Sequence, residues 1–221
     1  MRIASFALGL FLFLCTLSSF SIAGNSPHLP WSLEVGLGYG RYLDMYHNDG
    51  NTALARLGLA KEVYIYNAPR LITHFGAELG VQTGNNARPS VPANIIAQLG
   101  GLQIDSVIKP MIDLLLTARL YAPNYAYPVF GQIKLGAALR TWQFSRTTVS
   151  DITTVDPELQ LGVGYDMSQL FRLSLSYQGV YGGRPSFNSN CPTCTTRIWG
   201  DIPTQNSVVL GISMLLDKED K

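Results

Sequence analysis

Few side chains in this chain have a type and spacing suited to covalent or metal chemistry, and the clearest case is a pair of cysteines. Cys191 and Cys194 enclose a Pro-Thr dipeptide, which is the spacing of redox and zinc motifs. A redox centre places its first cysteine at the start of a helix in a thioredoxin-like unit, and zinc needs four ligands. The sequence supplies neither that unit nor a second ligand pair. We predict a small disulfide, the expected state of such a pair in an oxidising compartment, and no metal site.

The three histidines, His28, His47 and His74, are the candidates for acid–base or nucleophilic catalysis. A nucleophilic triad needs a histidine between a nucleophile and an orienting group, and the sequence indicates no such partners. We interpret His74 as a hydrogen-bonding group inside the fold. The sequence therefore predicts no catalytic residue, no bound cofactor and no enzyme activity.

The composition narrows the class of protein. The chain has 221 residues, with 16 Lys and Arg against 15 Asp and Glu, and this near balance excludes a basic nucleic-acid binder. Charged residues make up 14% of the chain and glycine accounts for 21 residues, whereas soluble domains are about 25% charged. The composition is therefore typical neither of a disordered chain nor of a cytosolic enzyme.

The N-terminal segment has the pattern of a secretory signal peptide. Arg2 precedes a short apolar run, and the small residues Ser21 and Ala23 supply a cleavage site. The alternative is a single transmembrane anchor, which the shortness of the run and its interruption by serine and threonine disfavour. We predict that residues 1–23 are removed and that residues 24–221 form one exported domain.

The exported segment alternates apolar and polar residues with a period of two, which is the pattern of strands with two different faces. In the first strand, Leu33, Val35 and Leu37 alternate with Glu34 and Gly36. Most segments are close to the ~9–11 residues that a tilted strand needs to cross a bilayer, and an even number of strands is typical of an outer-membrane barrel. The eight predicted strands are 31–40, 53–64, 74–82, 112–121, 129–141, 158–165, 171–178 and 207–216.

The lengths of the connections favour a membrane barrel over a soluble β-sandwich, the alternative that also alternates. Outer-membrane barrels have short turns on the periplasmic side and long loops outside. The connections around 65–70, 122–128 and 166–170 are short, and those around 43–52, 84–111, 142–153 and 182–205 are long.

Aromatic residues at both strand ends form the interfacial girdles expected of a barrel in a bilayer. The predicted girdle at the short-turn end consists of Trp31, Tyr64, Tyr66, Tyr121, Tyr125, Tyr127, Tyr165 and Phe171. The predicted girdle at the long-loop end consists of Tyr39, Tyr42, Trp142, Phe144, Tyr181 and Trp199. Core aromatics of a soluble domain would not be sorted by strand end.

The parity of the strands turns the charged residues towards the inside of the barrel. Arg or Lys on the lipid face at mid-depth costs about 2–4 kcal/mol, and isolated buried charges are unfavourable unless they are paired. An eight-stranded barrel is just wide enough for its own side chains, so we predict a lumen filled by a salt-bridged polar network; a narrow water-filled pore is the alternative. The predicted network residues are Glu34, Arg56, Glu78, Arg119, Lys134, Arg140, Glu158 and Arg172.

In these features the exported segment resembles the eight-stranded outer-membrane barrels of the opacity-adhesin and OmpA transmembrane-domain kind. The resemblance rests on the strand pattern, on the glycine-rich first strand at 35–40 and on the run 175–182. It implies an all-β, eight-stranded, antiparallel, up-and-down transmembrane β-barrel in the outer membrane of a Gram-negative bacterium. One departure is the charged tail 217–221, because such barrels usually end on an aromatic residue. A peptidoglycan-binding domain is not expected.

The same resemblance implies a structural and adhesin-like surface-interaction role through four long external loops, with a small nonspecific porin as the alternative. The implied partners are outer-membrane lipid, lipopolysaccharide and a host or extracellular ligand of the loops, and neither nucleic acid nor a cofactor is expected. Lipid A deacylases of this size carry a His-x-Ser pair on a late strand, and His74-Phe75-Gly76 lacks that serine. The apolar run 93–104 in the second long loop is either a contact surface or a short helix packed over the barrel mouth.

Overall fold

The computed structural model describes residues 29–43, 45, 50–88, 90, 93–98, 105–145, 151–183, 186–188, 197–199 and 202–216. The predicted signal peptide 1–23, the pair Cys191 and Cys194, and the charged tail 217–221 lie outside these residues, as do His28 and His47. No helix among the described residues is long and apolar enough to cross a membrane.

Strands account for most of the described residues. In chain order they are β1 (Trp31–Tyr42), β2 (Asn51–Ala68), β3 (Leu71–Gln82), β4 (Asn85–Ala87), β5 (Ser106–Ile108), β6 (Met111–Tyr121), β7 (Val129–Phe144), β8 (Ile152–Asp166), β9 (Phe171–Val180), β10 (Ser186–Asn188), β11 (Arg197–Trp199) and β12 (Gln205–Leu215). A short helix, α1 (Ala93–Gln98), lies between β4 and β5, and a 3₁₀ turn (Pro123–Tyr125) lies between β6 and β7.

The eight long strands, β1, β2, β3, β6, β7, β8, β9 and β12, close into an antiparallel barrel. Each pairs with the next of the eight along the chain, and β1 pairs with β12 to complete the ring, with Val35 opposite Ile212. The predicted all-β, eight-stranded, up-and-down barrel is confirmed. Closure satisfies the backbone groups of the wall by strand pairing, as the interior of a bilayer requires.

The two faces of the wall differ as the strand period demands. On β1, Leu37 is 66% exposed and Val35 is 51% exposed, whereas Glu34, which points into the lumen, is 6% exposed. The outer face repeats this pattern around the ring, where Leu79, Leu135 and other large apolar side chains are exposed. Burying a side chain such as leucine is favourable by about 1.5–3 kcal/mol, so this apolar outer face is stable where hydrocarbon covers it. The polar side chains fill the inside.

Glycine makes room for the polar interior at one position in particular. A Cβ atom on Gly80 would contact the guanidinium of Arg56 and the carboxylate of Asp113. The ion pair of Arg56 and Asp113 occupies the space that a side chain at position 80 of β3 would otherwise take. A close approach of this kind is a reason for glycine within a strand.

The predicted third long loop, 142–153, is wrong, because β7 and β8 continue to pair beyond the predicted strand ends. Trp142 pairs with Ile152 and Thr141 with Thr153, and the Oγ1 atoms of these two threonines lie 3.1 Å apart. The connection is therefore 145–151. The sequence prediction began β8 at residue 158, after a proline, yet the strand includes Pro157, whose carbonyl oxygen accepts a 2.9 Å hydrogen bond from the Tyr181 amide.

The second long loop contains a short helix, which one of its two interpretations predicted; the packing of this helix over the barrel mouth stays a prediction. The run 93–104 forms α1 over its first residues, and residues 99–104 lie outside the described part of the chain. Ile96 is half-buried, whereas Ala93 and Ala97 are exposed. The run is therefore helical where it is described.

The aromatic residues at the two ends of the barrel differ in direction. At the short-turn end the predicted girdle residues are exposed, except Tyr121, which is buried, and the hydroxyl of the exposed Tyr125 points inwards to His74. At the long-loop end, Tyr39 and Tyr181 are exposed. Three residues of that predicted girdle, Tyr42, Trp142 and Phe144, are buried instead. They share the inward parity of their strands, and the side chain of Trp199 lies outside the described ones.

Candidate functional site

The interior of the barrel brings together the eight predicted charged residues. Each of these side chains is buried, from Arg140 at 0% exposed to Arg172 at 8%. They lie in three groups along the barrel axis: a central group, a group at the short-turn end and a group at the long-loop end.

The central group is a chain of ion pairs across the lumen. Lys134 Nζ lies 3.0 Å from Glu34 Oε1 and 2.8 Å from Glu78 Oε2. Arg56 contacts the same Glu78 carboxylate. Its Nη2 and Nε atoms also donate to the two oxygens of Asp113, at 2.6 Å and 3.3 Å. Charge-assisted bidentate contacts of this kind fix both position and orientation, so the centre of the lumen is filled.

Glu158 departs from the expectation that every interior acid is paired. Its Oε1 atom accepts hydrogen bonds from Nε2 of Gln160 and of Gln178, both at 2.7 Å. Its Oε2 atom is buried without a partner, and no ion pair to Glu158 is present in the described part of the chain. Two carboxamides therefore hold this acid in place, and no cation lies within ion-pair distance of it among the described residues.

The group at the short-turn end is organised around Glu62. Arg119 Nη1 and Arg172 Nη1 lie 2.7 Å and 2.9 Å from Glu62 Oε1. The other carboxylate oxygen lies 2.8 Å from Nδ1 of His74, and His74 Nε2 lies 2.8 Å from the hydroxyl of Tyr125. The ring of His74 also packs against that of Tyr121, with centroids 4.9 Å apart.

Glu62, His74 and Tyr125 have the connectivity of a catalytic triad, and the environment of the phenol decides what they do. Tyr125 follows β6 in the 3₁₀ turn, with the unusual backbone φ of 51°. Burial, reinforced by the negative charge of Glu62, raises the pKa of Tyr125 above its ordinary value. The phenol therefore keeps its proton, and the imidazole of His74 bridges its hydroxyl and the Glu62 carboxylate. This arrangement suits a hydrogen-bonded closure of the short-turn mouth, because an activated nucleophile needs its pKa lowered or its proton removed.

At the long-loop end, Arg140 joins the barrel wall to the last loop. Its Nε atom donates to Asp156 Oδ2 at 2.6 Å. Its Nη1 and Nη2 atoms donate to the carbonyl oxygens of Pro203 and Ile202, at 2.8 Å and 3.0 Å. These contacts fold the end of the last loop into the mouth of the barrel.

Beside Arg140, the mouth is filled by an apolar cluster that we call the mouth plug. Trp142 at its centre is 0% exposed, and its indole Nε1 donates to Ser106 Oγ at 2.6 Å. The mouth plug consists of Tyr42, Ile108, Trp142, Phe144, Ile152 and Ile202. The plug draws residues from the wall and from two long loops, so it closes the lumen at this end.

Three interior acids were missed by sequence reasoning, namely Glu62, Asp113 and Asp156. The first two have the inward parity of residues already assigned to their strands, Arg56 on β2 and Arg119 on β6. The period-two alternation of β2 and β6 was therefore enough to predict that Glu62 and Asp113 point inwards. Asp156 was missed for a different reason, because the predicted β8 began after it.

Comparison with known proteins gives structural likeness alone. No family model matches the chain, and no curated protein matches it. The chain is similar to solved barrel structures. For Neisserial surface protein A the identity is 11%, with 86% of this chain and 98% of that chain covered and a TM-score of 0.44.

Two further structures give comparable values. For Ail, the attachment invasion locus protein of Yersinia pestis, the identity is 14%, with coverage of 85% and 97% and a TM-score of 0.46. For a major outer membrane protein from Thermus thermophilus the identity is 12%, with coverage of 86% and 100% and a TM-score of 0.49. Values at this level lead to no conclusion about activity, ligand or partner.

Proposed function

We propose that this chain is a non-conducting outer-membrane β-barrel of a Gram-negative bacterium, with a structural and adhesin-like role at the cell surface. The observation that carries the proposal is the filled interior. Ion pairs occupy the centre of the lumen, and the mouth plug around Trp142 covers them at the long-loop end. A molecule without a transport path acts through its outer surface.

Placement in the outer membrane is supported by the faces of the wall. The outer face is apolar, while the buried Arg and Lys side chains lie in the lumen, and charged residues on the lipid face are costly. Barrels of this kind are exported across the inner membrane, which agrees with the proposed cleaved signal peptide at 1–23. Outer-membrane lipid and lipopolysaccharide are then the immediate partners of the wall.

The long-loop end is the surface proposed to meet other molecules. The connections 43–50, 83–110 and 181–204 leave the barrel there, and the connection 145–151 is shorter than expected. The proposed disulfide between Cys191 and Cys194 belongs to the last of these loops. The proposed partner is a host or extracellular ligand.

Conductance in a planar bilayer tests the closed lumen. The purified, folded chain is expected to give no single-channel steps under conditions in which an open porin, added to the same bilayer, gives them. Regular steps from the wild-type chain would contradict the proposal and favour a small nonspecific porin.

Attachment of bacteria tests the surface role. Cells displaying the full chain are compared with cells whose variant carries Gly/Ser residues in place of 93–104, and heat-modifiable migration on a denaturing gel checks that both are folded. The variant is expected to attach less to host cells or matrix. Unchanged attachment after replacement of this run and of residues 186–199 together would argue against adhesion.

A further inference from the structure

A polar groove opens in the barrel wall at the long-loop end, next to the mouth plug, whose Phe144 also lines it. It encloses about 790 Å³, within the range of small-molecule sites. Its polar lining residues are Asn51, Asn86, Arg88, Asp105, Ser106, Gln143 and Ser145. The lining comes from the beginning of β2 and from the extension formed by β4, β5 and the end of β7.

The groove exists because the first residues of β2 lie beyond the end of its pairing with β3. The ladder ends at Arg56 opposite Gln82, and the amide of Thr83 then donates to the carbonyl of Ala55 at 2.9 Å. Beyond this point the chain enters β4, which pairs with β5. In the described ladder no pairing joins β4 to β2, so the two strands diverge and leave a cleft in the wall.

One wall of the groove is held in place by hydrogen bonds. Ser145 donates from both its amide and its Oγ atom to the carbonyl of Asp105, at 3.0 Å and 2.8 Å. Ser106, the residue after Asp105, accepts the hydrogen bond from Trp142 of the mouth plug. The groove is therefore preformed on one side, which lowers the entropy lost when a ligand binds.

Three carboxamides on this groove are available to a ligand. The side chains of Asn51, Asn86 and Gln143 are exposed, and none of them makes a hydrogen bond within the part of the chain that the structure describes. Each carboxamide presents two N–H donors and one carbonyl acceptor. Such a set can satisfy neighbouring hydroxyl groups, which are themselves both donors and acceptors. The lining also contains one carboxylate, Asp105, and one guanidinium, Arg88, so it has no net charge.

We propose that this groove binds a saccharide, through the hydroxyl groups of uncharged sugar units. The inference rests on the proposed function, which places the groove outside the cell, and it names the class of ligand. Several carboxamides placed together can satisfy several hydroxyl groups of one ligand at once, because each offers both donors and an acceptor. Two sources supply this chemistry: the sugars of lipopolysaccharide in the same membrane and the glycans of another cell.

The test is a binding titration with the folded full chain in detergent micelles. One arm uses the uncharged outer-core oligosaccharide of lipopolysaccharide, and the other uses an array of neutral mammalian-type glycans. Binding in the first arm assigns the groove to the bacterium's own surface, and binding in the second assigns it to another cell. The double variant Asn86→Ala/Gln143→Ala is expected to lose affinity at least tenfold.

The matched control is Asn67→Ala, an exposed asparagine at the short-turn end, which is expected to bind as the wild type does. Absence of binding in both arms, or equal affinity in the double variant, would overturn the saccharide site. That outcome is distinguishable from failure of the surface role, because attachment of cells that depends on residues 93–104 would persist without any saccharide binding. The opposite result is also informative. If the chain binds saccharide but the loop replacements leave attachment unchanged, the saccharide site is retained and the adhesin-like role is rejected.

Discussion

Arg140 Nε lies 2.6 Å from Asp156 Oδ2 on the neighbouring strand, and the same guanidinium holds the carbonyls of Ile202 and Pro203. One side chain thus fastens the end of the last loop to the wall between β7 and β8. The mouth plug is assembled from the elements that this contact joins, because it contains both Trp142 and Ile202.

Replacement of Arg140 by alanine is expected to destabilise the barrel. The variant leaves the buried Asp156 without its cation, and breaking a buried pair in this way costs about 3–5 kcal/mol. The midpoint of thermal unfolding in detergent, followed by circular dichroism and by heat-modifiable migration, measures the effect. The exposed Arg41 supplies the control Arg41→Ala, and an equal loss in both variants would speak against the proposed role of Arg140.

Glu158 and Glu78 are expected to respond in opposite ways to the same substitution. Glu158→Gln replaces a buried carboxyl that makes no ion pair with any described residue, so stability should be unchanged or higher. Glu78→Gln leaves Lys134 and Arg56 short of a carboxylate, and we expect a loss of about 3 kcal/mol or more. Chemical or thermal unfolding of the two variants beside the wild type decides the point; a marked loss in Glu158→Gln would show that its charge is compensated.

The hydroxyl of Tyr125 is expected to stabilise the short-turn end. Tyr125→Phe leaves His74 Nε2 without its partner, and an unsatisfied buried group costs about 1–3 kcal/mol. Tyr127 is exposed nearby, and Tyr127→Phe should have almost no effect. Thermal unfolding compares the two variants, and an assay of lipid A modification with His74→Ala in cells tests whether this group has catalytic activity. Altered lipid A would contradict its assignment as a closure of the mouth.

A charge on the outer face should be destabilising in proportion to its depth. Leu135 is 53% exposed on the outer face in the middle of β7, so Leu135→Arg is expected to cost about 2–4 kcal/mol. Gln143 faces outwards near the end of the same strand, and Gln143→Arg should cost about 0–1 kcal/mol. Reversible unfolding in lipid vesicles measures both, and equal costs would argue that lipid does not cover this face.

The direction of the interior residues was predictable because a strand has one period. Glu34, Lys134 and Arg172 follow from alternation alone. Their partners do not: Lys134 meets Glu34 from a distance of 100 residues along the chain, and this pairing depends on how the strands are staggered around the ring. Sequence alternation contains no information on that stagger.

At the long-loop end the sequence predictions were wrong for a different reason. Trp142 was placed in a girdle from its position at a strand end, although its parity is that of Arg140, which was correctly turned inwards. The length of the connection 145–151 was overestimated because pairing continues through Pro157, and proline is normally a signal that a strand has not begun. Position along a strand and parity must therefore be read together.

The contact of Arg140 with residues 202 and 203 also has a consequence for variation of this protein. The last loop returns to the wall at a point fixed by two backbone carbonyls, which any residue can supply. A Cβ atom on Gly182 would collide with the Ile202 carbonyl and the Arg140 guanidinium, so this glycine must be kept, whereas changes within residues 189–196 leave the two carbonyls unaltered and offer a place to graft a foreign epitope for display. Residues 202 and 203 at the C-terminal end of the loop would stay bound to Arg140 of β7.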